Sequence, residues 1–321
     1  MNILVYSSKD RAELRILDSL NDRFNIILVE DLKALEENAN TAKILLLCKF
    51  GTNREALKRA LAANPNIEWV HNLWTGVDSL IYPELKQFPL VLTNAKGIYA
   101  EPLAEFAILA CLYFAKDVPR LLNNQKASNW EPFQNQLISG KTIGIFGYGE
   151  IGKAVARRAN ALGMKVIATR KNEALSQNDP HLDQVVPLNE VDTLFKKSDY
   201  LVCAAPLTSE TKGFINKDNL ALLKKSAVFI NIGRGPVVNE SDLIEALQNN
   251  VLKGAALDVF NKEPLDPTSP LWHFKNVLIS PHSTDQNEGW LDDSMKFFVE
   301  NCERFKDNQT LLNIVNIDKG Y

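Results

Sequence analysis

Short apolar runs of strand length alternate along this chain with segments whose apolar residues recur at helical spacing. In the first part, Ile3–Tyr6, Asn25–Val29, Ile44–Cys48, Trp69–Val70 and Leu90–Thr93 read as strands. Arg11–Leu20, Leu32–Asn38 and Arg54–Ala62 read as helices between them. A long helix over Pro102–Ala115 follows, with proline in its first turn, where the missing N–H is harmless. A polar stretch, Asn123–Asn135, interrupts the pattern. Strands resume at Thr142–Phe146, Lys165–Thr169, Tyr200–Ala204, Val228–Asn231, Ala255–Leu257 and Val277–Ile279. The tail, Glu288–Phe305, is one amphipathic helix with Trp290, Met295, Phe298, Cys302 and Phe305 in its apolar positions.

Alternating β and α segments predict parallel sheets covered by helices on both faces. The expected fold class is α/β, with two doubly wound parallel-sheet domains. Residues 1–97 plus 287–321 form one, discontinuous if the tail helix crosses back, and residues 98–286 form the other. Ligands of such sheets bind beyond the carboxyl ends of the strands, here in the cleft between domains.

Bulk properties narrow the function. A chain of 321 residues has length for two cores, and 45% hydrophobic with 23% charged residues is an ordinary globular composition. A net charge of -3 gives no reason to expect a nucleic-acid or anionic-membrane partner. The longest nearly apolar run, Phe106–Ala115, is too short to span a bilayer, and Met1–Tyr6 lacks the basic start of a signal peptide. Cys48, Cys111, Cys203 and Cys302 lie far apart among apolar neighbours and read as core thiols of a cytoplasmic protein. The four histidines lack neighbouring ligands, so no metal site is expected.

The chemistry begins at Gly147-Tyr148-Gly149-Glu150-Ile151-Gly152, which follows a strand and opens a helix. In that context the glycines mark a Rossmann dinucleotide site. Gly147 permits the tight turn, Gly149 lets the backbone approach a pyrophosphate, and Gly152 allows close helix–strand packing. The N–H groups opening the helix, at Glu150 and Ile151, face the phosphates. At the end of the next strand, where an acid would bind the ribose hydroxyls, stand Thr169, Arg170 and Lys171. Arg170 and Lys171 suit a 2′-phosphate, so NADP(H) is the preferred cofactor, with NAD(H) as the alternative. Glu173 is near enough in sequence to serve a ribose, and a solvated basic turn is the alternative to a phosphate site.

Three downstream segments, Phe229–Val238, Leu257–Leu265 and Ile279–His282, bring Arg234, Glu263 and His282 to strand ends. Reducing a 2-oxo acid needs a cation for the carboxylate, a proton donor for the carbonyl oxygen and a hydride. Arg234 supplies the first and His282 the second, with Glu263 raising the imidazole pKa if paired with it. With Gly76-Val77-Asp78, Asn94-Ala95-Lys96-Gly97 and Pro206–Thr211, these segments closely resemble the D-2-hydroxyacid dehydrogenase family from about Trp69 to His282.

That resemblance implies a flavodoxin-like substrate-binding domain, a Rossmann nucleotide domain and homodimers paired through the latter. It implies cofactor contacts at Pro206, Thr211, Ile232, Gly233, Arg234, Asp258 and His282, although Asp258 serves equally as a loop cap. It places the substrate carboxylate at Trp74, Thr75 and Gly76, with Arg234 and His282 at the carbonyl. Trp74 either walls the pocket or packs beneath the loop, and Tyr99 is a weaker pocket candidate. Asn72 stands where phosphoglycerate dehydrogenases of the family often carry arginine, which argues against a phosphorylated substrate. Glu263 stands where formate dehydrogenases carry Gln.

The expected activity is NADPH-dependent reduction of glyoxylate, hydroxypyruvate or a bulkier 2-oxo acid to a D-2-hydroxy acid. An NAD-linked dehydrogenase of another small hydroxy acid is the first alternative. A nucleotide-sensing interaction protein of the same fold is the second, and the absence of a long disordered tail weighs against it.

Overall fold

The computed structural model describes residues 1–49, 51–176 and 178–320. The chain divides into two compact units, 1–99 with 287–321, and 100–286.

The first unit carries β1 (Asn2–Tyr6), β2 (Asn25–Val29), β3 (Ile44–Leu47), β4 (Trp69–Asn72) and β5 (Val91–Asn94). They form one parallel sheet in the order β2-β1-β3-β4-β5, the flavodoxin-like order. Strands β3 and β4 are buried along their whole length, which is why Ile44–Leu47 is an unbroken apolar run. Alternate residues feed two cores. On one face Leu45, Leu47 and Val70 meet the helices Leu32–Ala39 and Asn53–Ala63. On the other Ile44, Leu46 and Trp69 meet the turns over Ala12–Leu20 and the helix Trp290–Lys306.

Trp69 anchors the second of these cores. Its ring stacks on Phe298 at 5.2 Å and Phe305 at 5.5 Å, and burying an aromatic side chain stabilises by roughly 2–3 kcal/mol. Its indole N–H donates to Thr93 Oγ1 at 2.8 Å, and that hydroxyl lies 2.7 Å from His71 Nδ1. Burial holds the His71 pKa down to about 3, and the ring is neutral. The tail helix contributes Met295, Phe298 and Cys302, all fully buried, and Ile314 then bridges antiparallel to Thr93, covering the β5 edge.

The second unit carries β6 (Thr142–Phe146), β7 (Lys165–Thr169), β8 (Gln184–Val185), β9 (Tyr200–Cys203), β10 (Val228–Asn231), β11 (Gly254–Leu257) and β12 (Val277–Ile279). Their order, β12-β11-β10-β9-β6-β7-β8, is all parallel and reverses at β6. This is the doubly wound Rossmann arrangement with one added strand, and the glycine-rich turn leaves β6 at the switch point.

Three local features differ from the sequence expectation. Ala12–Leu20 is 3₁₀ rather than α, and no side chain caps its start. A helix over Val118–Lys126 runs into the stretch read as an interruption. The two-residue β8 was not foreseen. All four cysteines are buried and unpaired, and among the described residues no helix is long and apolar enough to cross a membrane.

Candidate active site

The glycines after β6 have three separate physical reasons. Gly147 has φ +101°, and a Cβ there would lie 2.5 Å from Ala205 N, so both conformation and packing require glycine. A Cβ on Gly152 would lie 2.7 Å from Gly147 O and 3.1 Å from Ile145 Cγ2, where helix and strand touch. Gly149 has φ -93°, and a Cβ there meets nothing within 4 Å. Neither backbone conformation nor the chain's own packing asks for glycine at 149. The bare backbone and the N–H groups that open the helix Glu150–Ala161 fit a pyrophosphate approaching from outside. Thr169 O closes the turn by accepting from the N–H groups of Gly147 and Tyr148, each at 3.1 Å. Glu150 pairs with Lys153 at 3.1 Å, while Ile151 is half-buried.

At the end of β7, Arg170 donates to the buried Ser176 Oγ at 3.3 Å. Lys171 grips both carboxylate oxygens of Glu210 at 2.7 Å, so its charge is shared with a neighbouring loop. Glu173 accepts from Leu188 N at 3.4 Å, an attachment that draws it to the following turn. The loop that carries Glu210 is tied to itself. Thr211 Oγ1 donates to Pro206 O at 2.6 Å and accepts from Thr208 N at 2.8 Å.

The turn after β10 is fixed by backbone proximity. Ile232 N donates to Cys203 O at 3.1 Å, and Gly233 N to Asn231 Oδ1 at 3.2 Å. A Cβ on Gly235 would lie 2.0 Å from Phe260 C and O. Only glycine lets the Arg234 turn lie directly on the loop that follows β11. Arg234 Nη1 donates to Gly233 O at 2.8 Å.

That second loop carries Glu263. One carboxylate oxygen accepts from Phe260 N at 2.9 Å, and the other lies 2.6 Å from His282 Nδ1. Glu263 precedes Pro264 through a cis peptide. Burial by itself would raise the Glu263 carboxyl. The His282 and Phe260 hydrogen bonds and the charge of Arg234 outweigh it and hold the carboxyl below its ordinary pKa. His282 is raised, chiefly by the hydrogen bond to Glu263, against the opposing effects of burial and Arg234. Nδ1 is the ring nitrogen that faces the Glu263 carboxylate.

Asp258 caps a turn. Fully buried at the end of β11, it accepts from Ser283 N at 3.1 Å, Thr284 N at 3.3 Å and Thr284 Oγ1 at 2.7 Å. These bonds fix the turn that presents His282, whose φ is +52°. The charge of Asp258 also helps to raise the His282 pKa. Asp285, on the same turn, drew no attention in the sequence. Burial raises its carboxyl pKa, with His282, Asp258 and Arg234 as the charges that act on it.

The remaining sequence candidates belong to the first unit, in the loop after β4. Thr75 Oγ1 donates to Ala95 O at 3.1 Å, and Asn72 donates to Trp74 O at 2.9 Å and Gly76 O at 3.0 Å. The Trp74 ring lies 5.3 Å from that of Trp290, with the Arg11 guanidinium 5.9 Å from its centre. Tyr99 is buried, and its hydroxyl donates to Leu73 O at 3.0 Å. Through that bond Tyr99 supports the loop. Asn72 and Asn94 both hold this loop through their amides, a role the sequence concealed. The available signal was a pair of strands, β4 and β5, each ending in asparagine.

Comparison with known proteins bears on the family. Residues 108–284 match the family model described as "D-isomer specific 2-hydroxyacid dehydrogenase, NAD binding domain". The chain is 37% identical over 232 residues to the glyoxylate/hydroxypyruvate reductase B of Serratia proteamaculans, covering 69% of each chain. It is 34% identical over 267 residues to the glyoxylate reductase of Thermococcus gammatolerans, covering 78% of this chain and 77% of that one. A D-isomer specific 2-hydroxyacid dehydrogenase from Xanthobacter autotrophicus, solved with NADPH and MES, superposes with TM-score 0.85 at 27% identity, covering 100% and 99% of the two chains. The chain belongs to the D-isomer specific 2-hydroxyacid dehydrogenase family and is an NAD(P)-dependent oxidoreductase.

Proposed function

We propose that this protein reduces the carbonyl of a small 2-oxo acid, of the glyoxylate or hydroxypyruvate class, to a D-2-hydroxy acid with NADPH. The observation that carries the reading is the 2.6 Å contact between His282 and Glu263 beside Arg234, all at carboxyl ends of strands in one Rossmann unit. NADPH, when bound, supplies the hydride. Arg234 binds the carboxylate and carbonyl oxygens of the acid through its planar fork of donors. His282 delivers the proton from Nε2 to the carbonyl oxygen, and Glu263 keeps the imidazolium charged and oriented. Thr75 and Gly76 offer adjacent N–H groups to a carboxylate. Relatives named as glyoxylate and hydroxypyruvate reductases support the substrate class. Loss of NADPH absorbance on a panel of 2-oxo acids tests it, and a panel with no turnover overturns it.

Arg170 supports the NADPH preference. Lys171 is held by Glu210, so the reading assigns a 2′-phosphate to Arg170, at the end of β7. Arg170→Asp should raise the KM for NADPH by about 10- to 100-fold, the range of a lost charge-assisted bond plus a new repulsion. The KM for NADH should stay nearly unchanged. Equal effects on the two cofactors would remove Arg170 from the 2′-phosphate site.

A homodimer is the proposed assembly, and the reducing cytoplasm, which four buried unpaired thiols fit, is the proposed compartment. Single exposed apolar residues are ordinary, but Leu109, Leu112, Leu121, Leu122, Trp130 and Leu137 all fall within residues 109–137. Trp130 is 95% exposed and Leu137 69%. A second copy of the chain is the proposed cover. Sedimentation should give the mass of a dimer for the wild type and of a monomer for a Leu109→Glu, Leu122→Glu variant. A monomeric wild type overturns the assignment.

A further inference from the structure

The loop after β4 is shaped by side-chain amides. Asn72 is 1% exposed, and both of its amide N–H groups go to carbonyls, Trp74 O and Gly76 O. From the end of the adjacent β5, Asn94 donates to Thr75 O at 2.5 Å. Three consecutive carbonyls are thus drawn to the inner side of the loop. Across a trans peptide, the carbonyl of one residue and the N–H of the next point in opposite directions. Drawing in the carbonyls of Trp74 and Thr75 turns out the N–H groups of Thr75 and Gly76. Among the described residues those two N–H groups meet no acceptor.

A further amide holds the first. Asn53, 5% exposed at the start of the helix Asn53–Ala63, donates to Asn72 Oδ1 at 3.2 Å. That bond fixes which way the Asn72 amide faces, with both hydrogens toward the loop and the oxygen toward the helix. The hydrophobic core beneath closes the arrangement, since Leu73 O accepts from Tyr99 and from the buried Ser294 at 2.7 Å.

We propose that Asn72 is the positioning residue of an anion-binding loop. It touches no substrate. It holds the peptides of residues 74–76 so that the Thr75 and Gly76 N–H groups converge on the carboxylate of the 2-oxo acid, and Asn53 orients it. The inference rests on the reading of that loop as a carboxylate site. Asn72→Asp keeps the shape and loses both donors, so a carboxylate then faces two carbonyl oxygens and the peptides rotate away. Asn72→Ala leaves the same two carbonyls buried without a donor.

The test uses the full-length chain as wild type, N72D, N72A and N53A. Four quantities are measured: KM and kcat for the best 2-oxo acid, Ki for oxalate as a non-reacting carboxylate, and the fluorescence-measured Kd for NADPH. In N72D and N72A, KM and the oxalate Ki rise together by about 10-fold or more, because a buried carbonyl without its donor costs at least that much. The kcat and the NADPH Kd stay within about three-fold, as for a loss of uniform substrate binding. N53A, the milder change, raises the oxalate Ki by about three-fold, and it decides the question if neither Asn72 variant folds. An unchanged oxalate Ki, or a parallel loss of NADPH affinity, overturns the proposal. A wild type that binds NADPH but neither turns over a 2-oxo acid nor binds oxalate overturns the reading beneath it instead.

Discussion

Replacing His282 with Gln is expected to lower kcat for 2-oxo acid reduction by about 10²- to 10⁴-fold, the range set by loss of a positioned general acid. NADPH affinity should stay within about three-fold of wild type, since the change removes a proton donor rather than a phosphate contact. A kcat within about 10-fold of wild type would show that the proton comes from elsewhere. The pH profile adds a signature that simple damage would not produce. His282 has a raised pKa, so the imidazolium is present below that value and is lost as pH rises through it. Reduction therefore falls on the alkaline side, while oxidation of the hydroxy acid, which needs the neutral ring, gains there. Glu263→Gln removes the largest cause of the raised pKa, so the alkaline limb of reduction should move to lower pH. Stopped assays across pH would read both limbs, and an unmoved limb would separate Glu263 from the titration.

Arg234→Gln should cost about 10²- to 10³-fold in kcat/KM, as for removal of a donor aimed at developing oxyanion charge. Both parameters move. The carboxylate loses its charged partner, which raises KM, and the carbonyl oxygen loses a donor that matters most as charge develops, which lowers kcat. Arg234→Lys keeps the charge but loses the planar fork, so it should recover only part of the loss. Loss of the guanidinium also removes a charge that lowers the pKa of both His282 and Glu263. Steady-state kinetics with glyoxylate and hydroxypyruvate would check this, and a change confined to the cofactor KM would contradict it.

How much of this was legible in the sequence depends on where each signal is stored. Strands buried on both faces, such as Ile44–Leu47 and Val228–Asn231, declare themselves because nothing but apolar residues is tolerated there. The turn glycines were legible because a strand precedes them and a helix follows. The helix Val118–Lys126 was not, since none of its residues is buried and its apolar residues, Val118, Leu121 and Leu122, stop after its first half and give way to a polar run. A strand of two residues, Gln184–Val185, is too short to carry a period.

In the site, Arg234, Glu263 and His282 could be named from residue type and family resemblance, and the Glu263–His282 pairing was a chemical expectation. The partners of Lys171 and Asn72 could not be named. Glu210 is 39 positions from Lys171, and Asn53 is 19 positions from Asn72, so their pairing exists only once the sheets have formed. Asp258 is the instructive intermediate. Its type and position allowed a cofactor role or a cap, and its three bonds to Ser283 and Thr284 show the capping contacts that the sequence could only allow for.

The most direct measurement is turnover by the purified wild-type chain with NADPH and each of glyoxylate, hydroxypyruvate and larger 2-oxo acids, alongside His282→Gln, with the configuration of each chiral product determined. The predicted result is cofactor oxidation matched by formation of a D-2-hydroxy acid, nearly abolished in the variant. Tight NADPH binding with no turnover on any acid, or equal turnover by wild type and variant, would contradict it.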